Sequence, residues 1–168
     1  MKNMLDEISY NKIQTIIENF LTEKDIRFSL NTEIDKKIIS ISFNMEFGIV
    51  NTHFVIHQPI KVVEVLAYLP IRIPVEKKLE VSKFLDMIGQ TFYIGSLQLN
   101  HEDGQIRCKS YFIYDENELS NTLIDMHLSA TYLLANSSFP QLMKICFGNI
   151  DAETVYFESI NKINTKNN

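Results

Sequence analysis

The sequence predicts an α+β fold: an antiparallel sheet of about five strands with helices packed on one face, in the order α-β-β-β-α-β-β-α. Three observations lead there. The hydrophobic period is helical up to Leu21 and alternating from Ile39. Two apolar-rich runs within Phe92–Tyr114 meet at Glu102-Asp103-Gly104, and an Asp-Gly turn between such runs is a strong hairpin signal. Helical patterns flank that hairpin on both sides.

The elements follow in order. Ile8, Ile13, Ile16, Ile17, Phe20 and Leu21 recur at helical spacing, so a helix is expected over Ser9–Thr22. A short strand around Ile26–Leu30 is compatible with what comes next. Ile39, Ile41, Phe43 and Met45 alternate with polar residues as in a half-buried strand, and Phe47-Gly48 reads as a turn. Thr52, Phe54 and Ile56 alternate with His53, Val55 and His57 in a second strand. Val62–Ile71 gives a third, ending near Pro70.

Pro74 suits a first helical turn, and Glu76 and Glu80 favour its positive end. Val81, Phe84, Leu85 and Ile88 carry that helix to Gly89. After the hairpin, Asp115 and Glu118 form a capping-box pattern ahead of a helix through Leu119, Leu123, Met126, Ala130 and Leu133. Asn136-Ser137-Ser138 before Pro140 predicts a break near Ala135, then a further turn or two over Leu142–Phe147, stopped by Gly148. A last short helix is expected over Asp151–Asn161, and residues 161–168 read as a polar, flexible tail. No internal repeat or linker interrupts residues 1–160, which read as one domain.

Composition narrows function. The 168 residues are 45% hydrophobic and 22% charged, with a formal net charge of -5. That is a globular balance, and its acidity opposes phosphate-backbone binding. Nucleic acid is therefore not an expected partner. The acidic N-terminus lacks a signal-peptide pattern, and no run approaches the ~20 apolar residues of a membrane span. The only cysteines, Cys108 and Cys146, are far apart and form no C-x-x-C motif. A reducing, cytoplasmic setting fits this use of cysteine.

A family resemblance rests on the polar-apolar strands from Ile38 to Ile73, on Pro74-Val75-Glu76-Lys77 and on Lys83-Phe84-Leu85-Asp86-Met87-Ile88. It continues through Ile94-Gly95-Ser96-Leu97-Gln98-Leu99-Asn100 and Asp103-Gly104-Gln105-Ile106-Arg107. Together these segments resemble the bacterial YbjN-like proteins, described as sensory transduction regulators. The resemblance spans about Lys37 to Leu134, although Met87-Ile88-Gly89-Gln90 departs from the Asn-rich segment usual there. It implies a type III secretion chaperone-like fold, a homodimer, no enzymatic activity, and a protein or peptide client. No catalytic residues carry over.

Strand alternation sorts the hairpin into two faces. Tyr93, Gly95, Leu97 and Leu99 join Ile106, Cys108, Ser110 and Phe112 on the face expected in the core. Phe92, Ile94, Tyr111 and Ile113 form an apolar cluster on the other face, the candidate partner-binding surface. The bland alternative is that a terminal segment of the chain covers them.

No constellation predicts chemistry. His53 and His57 share a strand face but lie roughly 13 Å apart, too far to share a metal. His127 has no Cys or His one helical turn away, and His101 lies in the hairpin turn. Both cysteines fall in apolar runs, where a thiol packs as a small apolar group. There is no G-x-S-x-G elbow and no glycine-rich phosphate loop. No catalytic, metal or cofactor residue is expected. The rival is a small-molecule-sensing domain or enzyme with a pocket between sheet and helices.

Overall fold

The computed structural model describes residues 2–33, 36–114 and 119–166. Helix α1 (Lys2–Glu23) leads into strands β1 (Ser29–Glu33), β2 (Lys36–Met45), β3 (Gly48–His57) and β4 (Val62–Arg72). A 3-10 turn at Val75–Lys77 opens α2 (Lys78–Gly89), and β5 (Ser96–Leu99) and β6 (Gln105–Ile113) make the hairpin. Helices α3 (Asn121–Phe147) and α4 (Ala152–Lys166) follow. The strands form one antiparallel sheet in the order β1-β2-β3-β4-β6-β5. The α+β class and the hairpin match the sequence expectation, with β1 as the sixth strand.

Register decides which side chains meet the helices. Ile39 pairs with Phe54, Phe54 with Val65 and Val65 with Ser110, so these residues share one face. At one end of that face Ile39, Ile41, Phe54 and Ile56 are buried with Ile13, Ile17, Phe20 and Leu21 of α1. At the other end Val50, Ala67, Leu69 and Ile106 are buried with Phe84 and Ile88 of α2 and with Leu134, Leu142 and Ile145 of α3. Each such side chain contributes about 1.5–3 kcal/mol when fully buried. This face is the core.

Local chemistry sets the joints. Pro70 lies where the β4–β6 register shifts between Tyr68 and Arg72, a position that tolerates its missing donor. Beside it the Gln105 side-chain amide donates to Leu69 O at 2.8 Å. In the hairpin loop, Asn100 Oδ1 accepts from Glu102 N and Asp103 Oδ1 from Gln105 N, both at 2.9 Å. Arg72 holds the Asp103 carboxylate from β4. Helix α4 is capped twice: Asp151 Oδ1 accepts from Thr154 N at 2.9 Å, and Glu80 of α2 accepts from Ala152 N at 2.6 Å. Lys83 of α2 pairs with Glu153 at 2.8 Å in the same turn.

Three helical expectations are corrected. Helix α3 does not break at Asn136-Ser137-Ser138 but runs to Phe147 with Pro140 inside it. The reason is tertiary: Thr131, Leu134, Ala135, Ser138, Leu142 and Ile145 form one buried stripe, and burying it outweighs the local breakers. Part of the apolar set expected to define that helix also lies off its core face, although Leu119 and Leu123 do pack against the core. Met126 and Leu133 are exposed, while Ile124, Leu128 and Leu134 face inward. Helix α4 extends to Lys166 instead of stopping near Asn161. The Asp115–Glu118 capping pattern lies outside the described residues; α3 starts under Ser120, whose Oγ accepts from Leu123 N at 3.2 Å.

Gly104 gives a stability test. Its φ is +76°, and a Cβ there would stand 2.4 Å from Ile73 O. Gly89, at the end of α2, has open space around the same position. Gly104→Ala is expected to lower unfolding stability by about 2 kcal/mol or more. Gly89→Ala should leave it equal or raise it by up to ~1 kcal/mol. Denaturant midpoints of the two variants check the contrast.

Candidate functional site

The candidate site lies on the opposite face of the sheet, away from both core clusters. Val55 and Leu66 point there, stand apart from both helix-packed clusters, and are still only 7% exposed. Long polar side chains on neighbouring strands cover them, as amphipathic stems do when their tips stay wet. His57 Nε2 meets Glu64 at 3.1 Å, and Lys109 holds the other oxygen of that carboxylate. Burial pushes the Glu64 carboxyl upward, but hydrogen bonds from Lys109 and His57 outweigh it and hold the group below its ordinary value. Ser40 Oγ bonds His53 Nδ1 at 2.8 Å, and the Tyr68 ring lies edge-on to His53. Arg107 Nε donates to Gln98 Oε1 at 2.7 Å.

Ser40, His53, His57, Glu64, Tyr68 and Arg107 line a shallow hollow of about 460 Å³ over Val55 and Leu66. The histidines predicted to share a strand face do so, yet each is engaged by a different neighbour. Among the described residues no group of three or more His, Cys, Asp or Glu side chains could hold a metal.

The four residues predicted to form the apolar cluster are only partly brought together. Tyr111 and Ile113 succeed each other on the outer face of β6 and are 59% and 72% exposed. Ile94 is half-buried and lines a hollow of about 570 Å³ with Tyr111. Phe92 turns the other way and packs against the core. The first strand of the hairpin, expected from Phe92, starts only at Ser96, because Gly95 at φ +86° breaks the extended chain. A Cβ on Gly95 would stand 2.6 Å from Leu134 Cδ1, so glycine here serves both the turn and the approach of α3. Alternation therefore fails before Ser96. Tyr93, expected in the core, is fully exposed beside Ile94 and Tyr111. The signal for it was Gly95 itself.

The same hollow is lined by His127 of α3, which sequence spacing left without a partner. Its Nδ1 bonds the hydroxyl of Ser110, a buried residue on the core face of β6. Its ring also rests against Phe112. Ser110 is 1% exposed, so the pair fastens α3 to the sheet rather than presenting a nucleophile. The thiols are equally closed: burial pushes Cys108 up to about 12, and burial raises Cys146 as well.

Burial holds His53 and His127 below the ordinary histidine value of 6.5. As pH falls, the unfolded chain therefore takes up protons before the folded one does. Stability present above pH ~6.5 is lost as pH drops through the lowered folded values. The thermal midpoint should fall between pH 7.5 and about 5.5, and the His53→Asn/His127→Asn variant should lose less over that range. An equal loss in both proteins would count against these two rings as the cause.

No family model matches the sequence, and no curated protein matches it. Solved structures do. One chain of the ExsC-ExsE complex superposes with a TM-score of 0.60 at 10% identity, covering 79% of this chain and 94% of that one. One chain of the HopA1-SchA chaperone-effector complex gives 0.54 at 9% identity, covering 77% and 94%. The likeness shows a shared fold, the α+β arrangement expected of a secretion-chaperone-like chain. No described helix is long and apolar enough to cross a membrane.

Proposed function

We propose that this chain is a non-enzymatic protein-binding module that holds a segment of a client protein on the β5–β6 side of its uncovered sheet face. The observation that carries the reading is the pair Tyr111 and Ile113, exposed in succession on a face with no helix among the described residues. Exposed aromatic and aliphatic residues next to one another are the usual anchors of a protein contact. Tyr93 and Ile94 extend that surface around the start of β5. Strand β5 is paired on one side only, so a client segment could lie along its free edge, gaining main-chain hydrogen bonds with little sequence specificity.

The fold shared with chains of the ExsC-ExsE and chaperone-effector complexes supports a protein client over a small-molecule ligand. The resemblance to YbjN-like proteins and type III secretion chaperones supports a bacterial, cytoplasmic homodimer. Net acidity suits a basic client segment.

Tagged protein recovered from its native host tests the reading. Wild type is expected to bring down a defined protein partner in fixed proportion. Ile94→Glu/Tyr111→Glu should weaken that complex by about 30-fold or more, as losing a central anchor of ~2 kcal/mol would. Circular dichroism should be unchanged, since Tyr111 is exposed and Ile94 lies outside the strands. Equal recovery by the variant would place the client elsewhere.

A further inference from the structure

The strands of the open sheet face pair their charges, with one exception. By register the cations there are Lys36, Arg107 and Lys109, and the carboxylates are Glu33 and Glu64. Lys36 holds Glu33 at 2.8 Å, and Glu64 is shared by Lys109 and His57. Arg107 is left over. Among the described residues no carboxylate meets it, and its side-chain bond is the one from Nε to Gln98 Oε1 at 2.7 Å. The outer edge of the guanidinium, Nη1 and Nη2, keeps its N–H donors unspent. A half-buried cation with no counter-charge gives up hydration and gains little in return. Its neighbours form a hollow around it. Tyr68 stands opposite Arg107 on β4 and Gln98 opposite it on β5, each at a cross-strand distance of ~5 Å. All three line a depression of about 690 Å³ that reaches the hairpin loop. Asp103, the carboxylate lining that depression, is already held by Arg72.

We infer that Arg107 sets the specificity of the client surface, by taking the carboxylate of an Asp or Glu side chain in the bound segment. The inference rests on the client reading above and names one position of the client's chemistry. The bond from Nε to Gln98 draws the guanidinium over β5, toward the strand edge that has no partner. A segment laid along that edge stands two strand spacings, ~10 Å, from β6, a gap that an arginine and a facing acid bridge together. The acid belongs at the client position beside Gln98. Charge decides the ligand. The free guanidinium edge presents parallel N–H groups that match the two oxygens of a carboxylate. One spare positive charge balances one negative charge, whereas a phosphate dianion would call on Lys109, which Glu64 already holds. Discrimination comes from the alternative: a neutral or basic residue at that position leaves the guanidinium covered and unpaired. The net charge of -5 still favours a basic segment in the long-range approach, and Arg107 places a single acid within it.

The test presents displayed random peptide segments to the immobilised full chain. Segments retained by wild type should carry Asp or Glu at one fixed place relative to their apolar residues. The tightest segment is then made as a labelled synthetic peptide, together with a copy in which that acid is replaced by its amide. Fluorescence anisotropy should show the amide copy binding wild type about 10-fold or more weaker. This comparison needs no altered protein. Arg107→Gln should still retain segments through Tyr111 and Ile113, but with a preference between the two peptides of about 2-fold or less. Arg107→Glu should select Lys or Arg at the same place. Lys12→Gln, which removes an equal charge from the exposed side of α1, should keep the wild-type preference. Retained segments without a fixed acid, or an acid preference that survives Arg107→Gln, would overturn the inference and leave the client reading standing. Retention of no segment by wild type would overturn both.

Discussion

Six antiparallel strands place most of their buried apolar residues on one side of the sheet, and the position of each helix follows from the need to cover that side. Phe20, Phe54 and Phe84 mark the result: one comes from α1, one from the middle of the sheet and one from α2, and all are essentially sealed from water. Because the cover is one-sided, the two faces meet different physical demands. The covered face needs volume and shape. The open face needs side chains that tolerate water while shielding Val55 and Leu66. A cross-strand polar network built from His57, Glu64 and Lys109 meets that second demand.

Much of this was legible because period-two patterns are strong where one face is wet. Strands β2 and β3 alternate with few exceptions, and β4 reads as apolar because even its outer residue Leu66 is buried. The hairpin was legible because its turn residues have a local job, visible in the Asx-type bonds of Asn100 and Asp103. Strand β1 was only faintly legible. Every residue in it is exposed, so it carries no burial period, and it is held through its pairing with β2.

What stayed hidden depends on contacts distant in sequence. The local signals at Asn136–Pro140 favour a break, and only the neighbours of Ser138, Leu142 and Ile145 make a continuous helix worth its cost. The candidate surface was half legible for a related reason. Tyr111 and Ile113 follow from alternation within β6, whereas Phe92 and Tyr93 lie ahead of a glycine that resets the chain's direction. Period-based reading holds only while the backbone keeps one conformation. Gly95 is where that condition ends.

The carboxylate of Glu80 has a consequence for the order in which the molecule assembles. It satisfies the Ala152 amide at the first turn of α4 from a position 72 residues earlier in the chain. A helix whose opening donor waits on so remote a group gains part of its stability only after α2 has docked. Contacts of such long sequence separation are slow to form, because the closure entropy is lost before the contact rewards it. Helix α4 should therefore act as the latch of the folding reaction: late to settle, and the first element to lift when α2 loosens.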